Sequence, residues 1–272
     1  MWPSTKLSGR FEFGKNWQRF VGLVDDKRIS AAEGSLQSML GTEQLTGRRF
    51  LDIGSGSGLF SLAARNLGAS VVSFDYDQQS VACTCELRNC YYNGGTDWLI
   101  ERGDVLDADY IESLGRFDVV YSWGVLHHTG DMWTSLRHAA SCVDDGGKIF
   151  VAIYNDQRWL SRYWLRVKRL YNEGMLFRWL VIATHAPIFI ARQVAKLVVT
   201  GTWGRPRGMS PWRDIIDWLG GYPFEVAKPE EIVEFFKKQG FLLDTMTTVG
   251  GRQGCNQFVL RRHACPEHTR NA

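Results

Sequence analysis

The stretch Phe50-Leu-Asp-Ile-Gly-Ser-Gly-Ser-Gly-Leu59 decides the fold. A short apolar run leads into an aspartate, three glycines at alternate positions and an amphipathic segment. That is the pattern of a strand, a tight turn and a helix. Glycines at such a turn let the backbone approach a ligand closely, and the helix that follows offers unpaired N–H groups. The turn lacks a Lys-Ser or Lys-Thr pair, so it is not a phosphate-gripping P-loop. Its spacing, Gly54-x-Gly56-x-Gly58, departs from the G-x-G-x-x-G of dinucleotide folds. Asp52, two residues ahead of the first glycine, suits a cationic ligand better than a pyrophosphate.

Working outward, residues 59–67 read as a helix stopped by Gly68, and residues 70–74 as a strand apolar enough to be buried on both faces. Asp77 opens a further helix. A weak strand at 99–103, a strand at 117–122, a helix at 132–142 and a strand at 148–154 follow, the last after a tight Asp144-Asp-Gly-Gly147 turn. Strands alternating with helices predict an α/β fold, a doubly wound, Rossmann-like sheet. Upstream, residues 30–40 have a helical apolar rhythm that Gly41 can end, so 1–47 read as an N-terminal helical cap. The core spans 48–154. Residues 155–223 lose the strand rhythm and are rich in Trp, Arg and Leu, which predicts a helical insertion. Lys228-Pro-Glu-Glu starts a helix that runs to Lys238. Residues 241–249 and 256–262, joined by Gly250-Gly-Arg-Gln-Gly254, form a hairpin in 224–272 that completes a seven-stranded sheet with an antiparallel edge strand.

Bulk properties exclude several classes. The 272 residues are 44% hydrophobic and 22% charged, as in ordinary soluble proteins, and the net charge of +3 does not by itself imply nucleic acid. Cys83, Cys85 and Cys90 fall on a predicted helix where 83 and 85 do not share a face, so they read as reduced packing residues, with no metal site. Met1-Trp-Pro-Ser-Thr-Lys lacks an apolar run behind its charge, which predicts a cytoplasmic setting. The apolar run 176–199 is broken by Arg178, His185, Pro187, Arg192, Gln193 and Lys196, too many interruptions for a membrane span.

In an open parallel sheet, ligands bind at the carboxyl ends of the strands. Asp75 ends the second strand, where an acid can accept from both ribose hydroxyls. Asp104 follows the third, where a carboxylate can meet an adenine amino group while Val105 packs on the ring. Trp123-Gly-Val-Leu-His-His128 follows the fourth. As a set, these residues resemble the class I S-adenosylmethionine-dependent methyltransferases, over roughly 48–154 and 225–262. The resemblance implies S-adenosyl-L-methionine as cofactor, held by Asp52, Gly54, Gly56, Asp75, Asp104 and Val105. The Gly-Val-Leu-His-His-Thr motif is similar to that of small-molecule methyltransferases, including the ubiquinone-biosynthesis O-methyltransferases. Those carry an acid where His127 stands here.

The implied reaction is O-methylation of a small-molecule or lipid-like hydroxyl or phenol. His128 is expected to take the proton, since an ordinary imidazole titrates near pH 6.5, and His127 to play a structural or cofactor-side part. His138, on a helix face, reads as solvated or packed. Phe13, Lys15 and Trp17 suit a lid over the sulfonium, because aromatic faces favour a cation. Trp123 and Tyr154 fall on the acceptor side. The insertion leaves three readings open. It is a cap over a soluble acceptor, a basic amphipathic cap at a membrane surface, or an RNA contact in which Arg158, Arg162, Arg166, Lys168 and Arg169 interleave with Trp159, Tyr163 and Trp164. A non-catalytic cofactor-binding subunit is the alternative outside enzymology. Oligomeric state leaves no trace in the sequence.

Overall fold

The computed structural model describes residues 24–93, 96–200 and 211–264. The lid residues Phe13, Lys15 and Trp17 lie outside the described residues. Helix α1 (Asp26–Leu40) leads into β1 (Arg49–Ile53), α2 (Leu59–Asn66), β2 (Ser70–Asp75), α3 (Gln78–Tyr92), β3 (Trp98–Arg102), α4 (Ala108–Leu114) and β4 (Phe117–Trp123). A 3-10 turn (Leu126–His128), α5 (Met132–Ser141) and β5 (Val143–Tyr154) follow. Then come α6 (Trp159–Asn172), α7 (Met175–Thr200), α8 (Pro211–Gly220), α9 (Pro229–Lys238), β6 (Phe241–Thr247) and β7 (Cys255–Arg262).

Local chemistry sets the helix ends. Asp25 caps α1 by accepting from the Arg28 N–H, and Gly41 closes it with a left-handed φ of 64°. Asp77 caps α3 by accepting from Gln79. Pro229 opens α9, where the Lys228 N–H donates to Glu231.

The seven strands lie in the order β3-β2-β1-β4-β5-β7-β6. β1 pairs in parallel with both β2 and β4, so the order reverses beside it and a crevice opens at the strand ends. Alternate strand residues feed opposite layers. Leu51, Ile53 and Val120 join Leu136 and Phe236 on one face, while Phe50 and Val119 join Leu62 and Leu87 on the other. Continuous apolar strands therefore follow from burial on both faces.

Two expectations are corrected. The antiparallel strand is not at the edge. β7 pairs antiparallel with both β5 and β6, leaving β6 at the edge and running with the other strands. A helical crossover through α9 brings β6 in parallel one place beyond β5's neighbour position, and the hairpin returns β7 into the gap. Nor is Asp144–Gly147 a turn ahead of a strand. β5 runs through it as a bulge, with Phe117 opposite Val143 but Val119 opposite Lys148. A Cβ at Gly147 would sit 2.9 Å from the Asp118 carbonyl oxygen, so the bulge needs glycine.

Helices α6, α7 and α8 pack around their own apolar cluster, which includes Trp164, Tyr171, Val181, Leu219 and Phe224. No helix among the described residues is long and apolar enough to cross a membrane.

Candidate active site

The glycine turn is fixed from three sides. The Phe74 carbonyl accepts from the N–H groups of Gly54 and Ser55 at 2.8 and 3.2 Å. Ser55 Oγ lies 3.0 Å from Thr84 Oγ1 of α3, and the Gly56 N–H donates to Asp75 Oδ2 at 3.0 Å. Gly54 has φ +78°, and a Cβ there would lie 2.5 Å from both methyls of Val125. The turn after β1 thus touches the loop after β4, and only glycine permits that approach.

Asp75 also accepts from the Asp77 N–H at 2.9 Å. Burial pushes its carboxyl up to about 6, against the lowering effect of these backbone N–H donors. Asp52 is register partner to Ser73. It does not cap α2, whose N-cap Gly58 has no side-chain bond. Instead Ser61 of α2 donates to Asp52 Oδ2 at 2.5 Å and lies 2.7 Å from Ser73 Oγ, which accepts from Trp98 Nε1 at 2.8 Å. An indole N–H can only donate, so the chain runs from Trp98 through Ser73 and Ser61 to Asp52. Burial raises the Asp52 carboxyl to about 7, with the Ser61 bond opposing and the nearby Asp75 charge adding. Asp104 accepts from the Leu106 N–H at 3.0 Å. Val105 is 4% exposed and its side chain belongs to the core. His138 packs, its Nδ1 lying 2.7 Å from the Val105 carbonyl oxygen.

The two histidines sit in the 3-10 turn after β4 under different constraints. The His128 Nδ1 is 2.6 Å from the Pro223 carbonyl oxygen. A carbonyl can only accept, so the ring carries its proton at Nδ1 and its basic lone pair at Nε2. His127 is fully buried, and neither ring nitrogen has a hydrogen-bond partner among the described residues. Its ring centroid is 4.0 Å from that of Tyr154 and 4.5 Å from that of His128. The expectation of an ordinary imidazole is corrected at both positions. Burial, then the Lys168 ammonium, pull His128 down to about 3; burial, then His128 and Lys168, hold His127 well below its usual value.

Tyr154, ending β5, joins the two histidines to the α6–α8 cluster, with its ring 5.6 Å from Trp218 and 5.4 Å from Phe224. Trp123 ends β4 half-buried. Three neighbours have parts in the site that the sequence did not show. Lys168 is fully buried, donates to the Trp218 carbonyl, and lies 4.2 Å above the Trp218 ring and 4.9 Å from that of Phe224. It therefore leaves the basic surface set proposed for RNA. Its helical phase was the available signal, since it shares a face with Trp164 and Tyr171. Glu225 accepts from the Met132 N–H at the start of α5, and burial raises it to about 7. Pro223, in a cis peptide after Tyr222, orients His128.

Residues 25–199 match a family described as a methyltransferase domain. The chain belongs to the class I S-adenosylmethionine-dependent methyltransferases. The cofactor is S-adenosylmethionine. The left-handed glycine turn after β1 and the half-buried Asp75 carboxylate beside it fit such a group.

The methyltransferase is 34% identical over 107 residues to the ubiquinone biosynthesis O-methyltransferase of Parvibaculum lavamentivorans, covering 39% of this chain and 40% of that protein. It is 28% identical over 165 residues to the one of Rhizobium etli, covering 61% of each. It thus spans about half the length of the curated relatives it matches. Among solved structures, the fold resembles magnesium protoporphyrin IX methyltransferase of Synechocystis PCC 6803 with bound SAH. The TM-score there is 0.52 at 16% identity, over 94% of this chain and 90% of that one. It also resembles an O-methyltransferase family protein of Burkholderia thailandensis, with a TM-score of 0.57 at 12% identity, over 92% and 60%.

Proposed function

We propose that this methyltransferase O-methylates a small-molecule or lipid-like hydroxyl or phenol, with His128 as general base. The observation that carries this reading is the 2.6 Å contact of His128 Nδ1 with the Pro223 carbonyl. It fixes the tautomer that places a lone pair on Nε2, at the end of β4. The O-methyltransferase relatives support the choice of an oxygen nucleophile. The absence of an Asn-Pro-Pro-Tyr-type motif after β4 fits it too.

S-adenosylmethionine supplies an electrophilic methyl group carried on a sulfonium. In this chain, Gly54 and Gly56 would present backbone to it, Asp75 would accept from its ribose hydroxyls, and Asp104 with the backbone of Val105 would meet its adenine. Asp52 sets the position of α2 beneath the turn through Ser61. The acceptor would lie toward Trp123 and Tyr154, beside the apolar cluster of α6, α7 and α8. His128 Nε2 would take the proton that the hydroxyl releases as the new C–O bond forms and the methyl–sulfur bond breaks, the electron pair returning to sulfur as a neutral thioether. Held near 3, that imidazole is a weak base that stays neutral throughout the physiological range, so its contribution falls at the low end of the 10²–10⁴-fold span for positioned bases.

The test is incubation with methyl-labelled cofactor and a panel of phenols with and without alkyl tails, reading methyl ethers by mass spectrometry. On the best acceptor, His128→Ala is expected to lose about 10²-fold in turnover with cofactor affinity unchanged. His127→Ala is expected to lose less in the chemical step. The reverse order exchanges the roles, and near-native turnover in both removes the base.

A further inference from the structure

Helix α7 presents apolar residues to solvent where a globular protein would bury them. Leu176 is 78% exposed, Trp179 63% and Val198 81%, with Leu180, Ile190 and Val194 also exposed. Leu176, Leu180, Ala183, Pro187, Ile190 and Val194 recur at spacings of four and three, so they form one stripe along about 27 Å of the 26-residue helix. The opposite side, through Val181 and Ala186, already packs on the neighbouring helices. The helix is apolar on two sides and, among the described residues, has a partner on one. A patch of this kind marks an interaction surface.

The charge beside it selects the partner. Arg158, Arg162, Arg166 and Arg169 are exposed on or at the start of α6, with Trp159 and Tyr163 exposed between them. From Gln157 to Thr200, Glu173 is the sole acid in the sequence. A second copy meeting this face would bring two arginine-rich helices together, with one acid each to offset them. An anionic bilayer meets all three features. Arginines attract its headgroups, Trp and Tyr suit the boundary, and the apolar stripe enters the acyl edge. Pro187 and the charge on Arg178 belong to a helix that lies on a membrane rather than one that crosses it.

We propose that α6 and α7 form a docking surface for an anionic lipid bilayer, with the apolar stripe of α7 lying in the interface. The proposal goes beyond the reaction and stands without it, because vesicle binding is measured with no acceptor and no turnover. The full chain is sedimented with vesicles of phosphatidylcholine alone and with vesicles one-third phosphatidylglycerol. The protein is expected to pellet with the anionic vesicles and to be released by salt. Trp179→Ser with Val198→Glu is expected to weaken binding at least tenfold, with an unchanged melting profile and cofactor affinity. Arg162→Glu with Arg166→Glu is expected to weaken it by about fivefold or more per charge, and only on anionic vesicles. Protein that stays in the supernatant with both compositions overturns the proposal, as does equal binding to neutral and anionic vesicles. So does light scattering that finds a dimer which the Trp179/Val198 variant dissociates.

Discussion

Asp75 ends β2 and Asp52 stands one residue before the end of β1, both beside the glycine turn, yet they serve it differently. Asp75 holds the turn by accepting from Gly56, and it is half-buried, so its carboxylate is placed to accept from a ligand as well. Asp52 is 2% exposed and acts inward, on Ser61. Asp75→Ala is therefore expected to weaken S-adenosylmethionine binding by about 1–3 kcal/mol, the range for leaving buried polar partners unpaired. Titration calorimetry that finds unchanged affinity removes the ribose assignment. Asp75 was legible in the sequence because its position, about twenty residues after the turn, is a local feature of a strand–helix–strand unit. Lys168 and Glu225 were not, because what makes them site residues is burial against segments far along the chain.

At the scale of elements, the contact that builds the crevice joins two loops, one after β1 and one after β4, through Gly54 and Val125. Gly54→Ala imposes a left-handed φ on a residue with a Cβ and drives that atom into both Val125 methyls. Cofactor affinity is expected to fall at least tenfold. Adding Val125→Ala relieves the collision but not the backbone strain, so the double variant is expected to regain part of the loss. Full recovery would assign the whole effect to packing, and no recovery would assign it to the backbone. The strands and helices of the core could be read from local rhythm and from Gly41, Asp77 and Pro229. The place of β7 could not, since a hairpin pattern states that two strands pair but not which of them meets β5.

Across the whole molecule, buried ionisable groups pull stability in opposite directions with pH. Asp52, raised from 3.8 to about 7, keeps its proton in the fold while the unfolded chain gives it up, so stability falls as pH rises through that window. Asp75 and Glu225 act with the same sign. His128, lowered from 6.5 to about 3, stays neutral while the unfolded chain takes a proton, so its effect is stability lost as pH falls from 6.5 toward 3. Asp52→Asn keeps the Ser61 bond and removes one ionisation. Its melting temperature is expected to exceed that of the parent by several degrees more at pH 8 than at pH 4.5; a difference that does not change with pH refutes the assignment. The sequence by itself determined the α/β class, the glycine turn and the acids that end successive strands, because each is written in a contiguous stretch whose periodicity and turn chemistry act locally. Only the tertiary structure decided the tautomer of His128, whose partner Pro223 lies 95 residues away. The burial of Lys168 and the interior place of β7 belong with it. Such features depend on which distant segments exclude water from one another, and no local run of residues carries that information.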